Sequence, residues 1–205
     1  MRVVLASKSP RRREILSSLG VTFDIVSADA DESSDITDPA TLVRELSLRK
    51  ARATRDLLQQ RGEWNDDTLI IASDTVVAAN GAILGKPRDE ADAARMLSLL
   101  SGRTHQVISG VSLLCGAREC ADFDVTSVHF CNMTPAEIAS YVKSGEPMDK
   151  AGAYAVQGLA SVYIKGLEGD YFNVVGLPVH KLNTMLCDLL GVSLLALGQK
   201  SANDF

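Results

Sequence analysis

Thr68–Ala72 is a short, continuously apolar run, and it constrains the fold more than any other stretch of the sequence. A strand of this composition is buried on both faces, as happens at the centre of a sheet that is covered by helices on each side. Ser73 and Asp74 follow the run directly. Open α/β sheets bind ligands at the carboxyl ends of their strands. The run therefore predicts a central strand and makes Asp74 a candidate functional carboxylate.

The remaining sequence alternates strand and helix patterns. Strands are predicted at Arg2–Ala6, Phe23–Val26, Thr68–Ala72, Thr75–Ala79, Ala82–Leu84, His105–Leu114, Ala121–Phe130 and Ser161–Lys165. Helices are predicted at Pro10–Leu19, Pro39–Gln60, Glu90–Leu100, Pro135–Gly145 and Val179–Leu190. This order indicates an α/β fold with a mixed, strongly twisted sheet flanked by helices. We expect residues 1–205 to form a single domain, in which 191–205 are a loosely ordered tail.

The composition limits the classes of function. The chain has 205 residues, 46% of them apolar, which suits one α/β domain or two small lobes that share a cleft. A formal net charge of −5 argues against a stable nucleic-acid partner. The sequence has no apolar run near the roughly 20 residues that span a bilayer, and it opens on a strand pattern rather than a signal peptide. These features predict a cytoplasmic protein without a membrane partner.

The cysteines and histidines form no recognisable metal or nucleophile motif in the sequence. The residues concerned are Cys115, Cys120, Cys131, Cys187, His105, His129 and His180. The cysteines show neither a C-x-x-C pair nor a zinc spacing, and the histidines are scattered. The sequence also lacks the phosphate-loop, dinucleotide and nucleophile-elbow motifs. A Ser–His or Cys–His hydrolase is therefore disfavoured.

Three consecutive arginines, Arg11, Arg12 and Arg13, lie in the first turn of the first predicted helix. Ser9 is a favourable N-cap for this helix, and Pro10 is a favourable first residue. The start of a helix carries a partial positive charge, so each cation there costs about 0.3–1 kcal/mol. Backbone N–H groups and guanidinium forks at such a turn bind phosphate well. We interpret the run as an anion site; the alternative is a solvated basic turn.

A lysine interrupts the apolar stripe of the second predicted helix. The stripe is formed at spacings of three and four by Val43, Leu46, Lys50, Ala53 and Leu57. A buried ammonium needs a negative partner, because an unpaired one costs several kcal/mol or loses its proton. Asp74 is a candidate partner for Lys50. The alternatives are a lysine that reaches water from the edge of the stripe and an aspartate that bonds its own turn.

Two further segments carry polar groups between small or rigid residues. Gly85-Lys86-Pro87 holds a lysine that suits a phosphate, although such a tripeptide is also a common surface turn. The segment Gly145–Gly158 is expected to be a loop that closes over a ligand. The amide of Gln157 can both donate and accept, as the edge of a uracil or thymine ring requires. Taken together, the cations suit a polyphosphate, and the carboxylates suit a divalent metal and an activated water. Phosphoanhydride hydrolysis needs no protein nucleophile.

Six motifs, in order along nearly the whole chain, resemble those of the Maf family of nucleoside triphosphate pyrophosphatases. They are Ala6-Ser7-Lys8-Ser9-Pro10-Arg11-Arg12, Ala72-Ser73-Asp74-Thr75-Val76-Val77, Gly85-Lys86-Pro87, Gly102-Arg103-Thr104-His105, Asp149-Lys150-Ala151-Gly152-Ala153-Tyr154 and Gly169-Asp170-Tyr171-Phe172-Asn173-Val174-Val175-Gly176-Leu177-Pro178. The resemblance implies a fold like that of inosine triphosphate pyrophosphatase, with a cleft between two lobes. It also implies cleavage of a nucleoside triphosphate between its α and β phosphates.

The resemblance assigns roles to particular residues. Asp74 is the implied catalytic proton acceptor, and Asp74 and Glu32 are implied ligands of a divalent metal, Mg²⁺ or Mn²⁺. The implied phosphate ligands are Ser7, Arg11, Arg12, Lys50 and Lys86. A homodimer is also implied.

The branches of this family differ at three positions, which are Arg11, Thr75 and Gln157 in this sequence. The trio resembles the branch that acts on dTTP and UTP, including modified pyrimidine triphosphates. Two alternatives remain open at this point. One is a nucleotide-sensing regulatory protein linked to septum formation, and the other is a 7-methyl-GTP pyrophosphatase.

Overall fold

The structure is a computed structural model that describes residues 1–202, and it contains both strands and helices along the chain. The strands are β1 (Arg2–Leu5), β2 (Asp24–Ile25), β3 (Thr68–Ala79), β4 (Ala82–Leu84), β5 (Thr104–Cys115), β6 (Arg118–Phe130) and β7 (Ile164–Glu168). The helices are α1 (Pro10–Ser18), α2 (Pro39–Gln60), α3 (Glu90–Leu100), α4 (Pro135–Lys143), α5 (Tyr171–Val175), α6 (Val179–Leu190) and α7 (Leu194–Ala202). Short 3₁₀ turns lie at Glu146–Asp149, Ala151–Ala153 and Leu159–Tyr163.

The strands form one mixed sheet in the order β2-β1-β3-β5-β6-β7, with β4 paired to β3. β1 runs parallel to both β2 and β3, whereas β4 is antiparallel to β3 and β7 is antiparallel to β6. The β1–β3 register extends from Arg2 opposite Thr68 to Leu5 opposite Ile71. The prediction of a mixed α/β fold, with helices flanking the sheet, is confirmed.

The chain divides into two compact units, each built from separate stretches of sequence. Unit 1 consists of Met1–Asp74, Ser109–Asp124 and the chain from Gly176 onward, and unit 2 consists of Thr75–Ile108 and Val125–Val175. β3, β5 and β6 each contribute residues to both units. Both units must therefore be assembled from parts of the chain that are far apart in sequence.

In unit 1, the long helix α2 covers the central strands. Ala51 and Leu58 of α2 share a buried core with Val4 of β1, Ile70 of β3 and Leu114 of β5. All five side chains are 0–2% exposed. Full burial of a valine, leucine or isoleucine side chain contributes about 1.5–3 kcal/mol to the stability of the folded state. This core anchors α2 beside β3.

In unit 2, α3 and α4 cover the other ends of the long strands. Leu97 and Leu100 of α3 and Ile138 of α4 belong to one buried core with Val107 of β5 and Val128 of β6. Helix α4 starts with a capping box, formed by Thr134 and Glu137. The box satisfies two backbone donors that a helix start would otherwise leave open.

β3 is longer than predicted. The sequence favoured two strands, Thr68–Ala72 and Thr75–Ala79, but the structure has one strand over Thr68–Ala79. Ser73 and Asp74 do not end the strand, because the Ser73 hydroxyl donates to a carbonyl and Asp74 pairs with a lysine. Asp74 therefore lies within β3, three residues beyond the last β1–β3 pair at Ile71, and not at the end of the strand.

The strand predicted at Ser161–Lys165 is displaced in the structure. A 3₁₀ turn occupies Leu159–Tyr163, and β7 follows at Ile164–Glu168. The turn is closed locally, since the Ser161 N–H donates to the Gly158 carbonyl at 3.0 Å. The apolar pattern of this stretch is thus compatible with either element, and the local hydrogen bond favours the turn.

The expectation of a loose tail over 191–205 is wrong for most of that stretch. Leu194–Ala202 form the helix α7, and Leu194 and Leu197 are buried, at 4% and 7% exposed. The buried leucines give α7 an apolar face to pack, which a loose segment would lack. Residues 203–205 lie outside the described part of the chain.

The buried face of α2 is rotated from the predicted stripe. The buried residues of α2 are Val43, Leu46, Ser47, Ala51, Thr54 and Leu58. Ala53 and Leu57 are only half-buried. Lys50 lies at the edge of the face with its side chain 18% exposed, so its aliphatic stem is covered while its ammonium reaches other charged groups.

A buried ring cluster in unit 2 includes a histidine. His105 is 3% exposed, and its ring lies 5.5 Å from that of Phe130 and 5.3 Å from that of Tyr154. His105 Nε2 and the Tyr154 hydroxyl are 2.7 Å apart, while Nδ1 has no hydrogen-bond partner. Burial, assisted by the nearby His129, lowers the pKa of His105 to about 4. His105 is therefore neutral in the folded protein near pH 7.

This shift predicts a loss of stability in acid. The unfolded chain binds a proton at His105 below its ordinary pKa of 6.5, and the folded chain does so only near pH 4. His105 should therefore lower the free energy of unfolding by up to about 1.4 kcal/mol per pH unit between these values. Urea titrations at several pH values should show a flatter dependence for His105→Gln. The matched variant His180→Gln, at an exposed position, should keep the wild-type slope. Equal slopes for His105→Gln and wild type would contradict the prediction.

Across residues 1–202, the structure has no helix with the length and apolar character needed to cross a bilayer.

All four cysteines are free thiols, of which Cys115 is buried and Cys131 and Cys187 are exposed. Burial is the main cause that raises the pKa of the Cys115 thiol, so this sulfur stays protonated at neutral pH.

Candidate functional site

The turn from β1 into α1 is held by a buried hydroxyl. Ser7 is 7% exposed, and its Oγ accepts hydrogen bonds from the Ser9 backbone N–H at 3.2 Å and from Arg12 Nη1 at 3.2 Å. Ser9 occupies the N-cap position of α1 as predicted, but its side chain makes no capping hydrogen bond. Ser7 thus shapes the turn, and the first N–H groups of α1 keep the geometry that favours an anion.

One backbone carbonyl ties α1 to β3. The Gly176 carbonyl accepts from Arg12 Nε at 2.7 Å and from the Ser73 hydroxyl at 2.9 Å. Gly176 has a φ of 120°, a conformation that favours glycine. The two hydrogen bonds fix the guanidinium of Arg12 relative to the strand residue that precedes Asp74.

Lys50 bridges two carboxylates. Its Nζ lies 2.5 Å from Asp74 Oδ1 and 2.8 Å from Glu32 Oε1. The Asp74 side chain is 12% exposed and that of Glu32 is 63% exposed, so the first pair is covered and the second reaches in from the surface. Removing one member of a covered pair leaves an uncompensated charge, which is costly. Lys50 and Asp74 therefore form one covered ion pair, and replacing either residue leaves the other without its facing charge.

The arginines and carboxylates of unit 1 share one electrostatic environment. Burial is the main influence on the pKa of Arg12 and lowers it, and the positive charge of Arg11 lowers it further. The negative charges of Asp74 and Glu32 raise this pKa. An arginine titrates so far above neutrality that the guanidinium stays charged. These interactions bring the phosphate-binding candidates of unit 1 together with the candidate base. We call this group the elbow cluster; it consists of Ser7, Arg11, Arg12, Glu32, Lys50 and Asp74.

The elbow cluster fits a divalent metal through two carboxylates. Glu32 and Asp74 converge on one cation, the Lys50 ammonium, at distances of 2.8 and 2.5 Å. Mg²⁺ commonly binds through one or two carboxylates and takes its other ligands from substrate phosphates and water. Within residues 1–202, there is no group of three or more His, Cys, Asp or Glu side chains that could hold a metal by themselves. The protein's share of such a site would therefore be these two carboxylates.

The remaining candidates belong to unit 2. Lys86 and Gln157 are exposed, and Thr75 is half-buried directly after Asp74. The Gly152 N–H donates to the Gly85 carbonyl at 3.0 Å, which joins the lysine turn to the glycine-rich segment within this unit. The two motifs that sequence analysis treated separately are therefore neighbours.

Two further groups support the elbow cluster, the Ser73 hydroxyl and the Gly176 carbonyl. Sequence analysis noticed Ser73 as a polar residue beside a run predicted to be buried on both faces, but it gave no indication of the partner of this hydroxyl. The Gly176 carbonyl gave no comparable signal, since a backbone acceptor is available at every residue and only the fold selects one. Asn173 belongs to the sixth motif, but sequence analysis gave it no role; it is 0% exposed, and its Nδ2 donates to the Val107 carbonyl at 3.0 Å and to Thr126 Oγ1 at 2.9 Å.

The fold and the elbow cluster define an α/β protein in which basic and acidic side chains cluster beside the end of the parallel pair β1–β3. A family described as Maf-like protein matches residues 2–189. The chain therefore belongs to the Maf-like family.

Several relatives are similar over nearly their full length. The dTTP/UTP pyrophosphatase of Alkaliphilus oremlandii is 44% identical over 94% of this chain and 98% of its own. The dTTP/UTP pyrophosphatase of Symbiobacterium thermophilum is 45% identical over 90% of this chain and 92% of its own. The dTTP/UTP pyrophosphatase of Clostridium perfringens is 45% identical over 89% of this chain and 94% of its own. The solved structure of the Staphylococcus aureus Ham1 protein aligns at a TM-score of 0.42 and 14% identity, covering 63% of this chain and 72% of that one.

Proposed function

We propose that this protein is a nucleoside triphosphate pyrophosphatase that hydrolyses dTTP and UTP, and modified pyrimidine triphosphates, to the monophosphate and pyrophosphate. The observation that carries the proposal is the elbow cluster, in which Lys50 bridges Asp74 and Glu32 within the field of Arg11 and Arg12. Membership of the Maf-like family and the names of the similar relatives support the same activity.

In this proposal, the cations of the elbow cluster hold the phosphates. Arg12 presents a planar guanidinium whose Nε is already bonded to the Gly176 carbonyl, so its orientation is set before a ligand arrives. Arg11 and the Ser7 hydroxyl would add donors at the start of α1, and Lys50 would supply a compact positive charge. Lys86 of unit 2 would be a further phosphate ligand. Preset donors of this kind stabilise a phosphoryl-transfer transition state without having to reorganise.

Asp74 is the proposed proton acceptor. Its side chain is 12% exposed, and its Oδ1 lies 2.5 Å from the Lys50 ammonium. An ionised carboxylate in this position can take a proton from a water that attacks a phosphate. Asp74 and Glu32 would hold Mg²⁺ or Mn²⁺, and a bound metal would supply charge neutralisation at the phosphates. Lys50 would keep both carboxylates aimed at the same point.

Recognition of the base is proposed to depend on Arg11, Thr75 and Gln157. The Gln157 amide is exposed and can donate and accept at once, which matches the pyrimidine edge. We further propose that the protein acts in the cytoplasm and forms a homodimer, as the resemblance implies. A nucleotide sensor is less favoured, because binding alone does not need a carboxylate paired to a lysine among phosphate ligands.

Release of pyrophosphate from the purified protein tests the proposal. A panel of dTTP, UTP, purine triphosphates and 7-methyl-GTP, each with Mg²⁺ or Mn²⁺, should give monophosphate and pyrophosphate fastest from dTTP and UTP. Omission of the metal should abolish the product. Tight binding without turnover would indicate the sensor instead, and a preference for 7-methyl-GTP would indicate the other branch.

A further inference from the structure

Gln157 lies midway between two anchored backbone amides. The Ala155 N–H donates to the Tyr141 hydroxyl at 3.3 Å, and the Leu159 N–H donates to Glu146 Oε2 at 3.0 Å. Each anchor is two residues from Gln157, one on either side. The backbone of the segment 155–159 is thus held at both ends by side chains from α4 and from the turn that follows it.

The two anchors are joined to each other. The Tyr141 hydroxyl donates to Glu146 Oε1 at 2.8 Å while it accepts from Ala155. Tyr141 is 6% exposed, and burial, followed by the hydrogen bond to Glu146, raises the pKa of its hydroxyl. The hydroxyl therefore keeps its proton, and Tyr141 and Glu146 act as one hydrogen-bonded unit in which loss of either partner removes one hydrogen bond of the other.

Gly158 lets the Glu146 carboxylate lie directly against the chain. A Cβ atom on Gly158 would stand 2.4 Å from both Glu146 oxygens, which is closer than any side chain allows. The Gly158 N–H also donates to the Ala155 carbonyl at 3.2 Å, which closes a tight turn around Gln157. The absence of a side chain at Gly158 is thus matched to the position of the carboxylate.

These contacts hold the backbone and leave the Gln157 side chain at the surface. A side chain that reads a base must be exposed to the ligand, yet its Cα must be fixed to discriminate between similar rings. Bonds to the neighbouring amides meet both requirements, because they restrain Gln157 without covering it.

We infer that Tyr141 and Glu146 are positioning residues for base selection, because together they fix the turn that presents Gln157. This inference rests on the proposed function, since it assigns Gln157 to recognition of the pyrimidine. It adds two residues that do not touch the base themselves. They act on the choice of substrate and not on the phosphates.

Tyr141→Phe tests the inference with little risk to the fold, because the buried ring is kept and only the hydroxyl is removed. The kcat/KM ratio of UTP to a purine triphosphate should fall about tenfold, the loss expected for a hydrogen bond to a charged or aligned group. The fall should arise from a higher KM for UTP, while kcat stays within about twofold of the wild-type value. Hydrogen exchange of the peptide covering residues 154–160 should become faster.

Tyr163→Phe is the matched control. The Tyr163 hydroxyl also bonds a carboxylate, that of Glu137 at the start of α4, and Tyr163 ends the 3₁₀ turn that begins at Leu159. This variant should keep the wild-type ratio and the wild-type exchange at 154–160. Gln157→Glu should lower the kcat/KM ratio of UTP to the purine triphosphate, while hydrogen exchange at residues 154–160 should stay as in the wild type.

The outcomes separate the two proposals. Wild-type protein that releases no pyrophosphate or prefers no base overturns the proposed function and this inference with it. A wild-type preference that Gln157→Glu removes and Tyr141→Phe retains overturns the inference alone. Equal losses of kcat/KM for every triphosphate in Tyr141→Phe would indicate a structural role only and would also overturn it.

Discussion

Asp74→Asn should lower kcat by about 10²–10⁴-fold, the range that a positioned general base supplies. The asparagine amide has nearly the size of the carboxylate, but it cannot accept a proton from water at neutral pH. It also removes the charge that faces Lys50 Nζ at 2.5 Å. Steady-state kinetics with dTTP and UTP should show the loss mainly in kcat, and thermal unfolding should remain cooperative.

The control for this variant is Asp56→Asn, an exposed aspartate of α2 that pairs with Arg55 on the helix surface. It should retain wild-type turnover. An Asp74→Asn protein with turnover near that of wild type would exclude Asp74 as the proton acceptor, whatever its metal dependence.

Arg12→Lys should reduce kcat/KM for the triphosphates by roughly 10–150-fold, corresponding to the loss of about 1.5–3 kcal/mol for a hydrogen bond to a charged group. A lysine keeps the positive charge but loses the planar fork. Its ammonium cannot reproduce both the 2.7 Å bond to the Gly176 carbonyl and the 3.2 Å bond to Ser7 in the guanidinium geometry. The readout is kcat/KM across dTTP and UTP.

Arg13→Lys supplies a control of identical chemistry one residue away. Arg13 is exposed, and the resemblance assigns no role to it. Its replacement should leave kcat/KM within about twofold of wild type. Equal losses in the two variants would mean that the basic turn acts only through its net charge, and the orientation proposed for Arg12 would be wrong.

Sequence patterns predicted the fold class because the strongest signals were local. Pro39–Gln60 was expected as a helix, and the structure has these bounds, with the Asp38 side chain at the N-cap accepting the Thr41 N–H at 2.8 Å. Ser73 and Asp74 misled the prediction of β3, since two polar residues in an apolar run usually end a strand. The partners that satisfy them come from residues distant in sequence, so no local rule could identify them.

The candidate site was predictable to the extent that its residues were anomalous in sequence. Lys50 and Asp74 stood out as charges in apolar patterns, and the structure pairs them. The supporting groups did not stand out. Tyr141 reads as an ordinary core residue of α4, and Glu146 as a polar residue of a loop, so their joint hold on the chain around Gln157 depends on tertiary geometry.

The Gly176 carbonyl has a consequence for the order in which this protein matures. Arg12 leaves the ribosome early, but its hydrogen-bond acceptor is 164 residues later in the chain. A polypeptide that ends before Gly176 lacks the acceptor of the Arg12 Nε hydrogen bond and can orient the guanidinium only through Ser7. The contact between α1 and the Gly176 carbonyl should therefore form only after synthesis has passed this glycine.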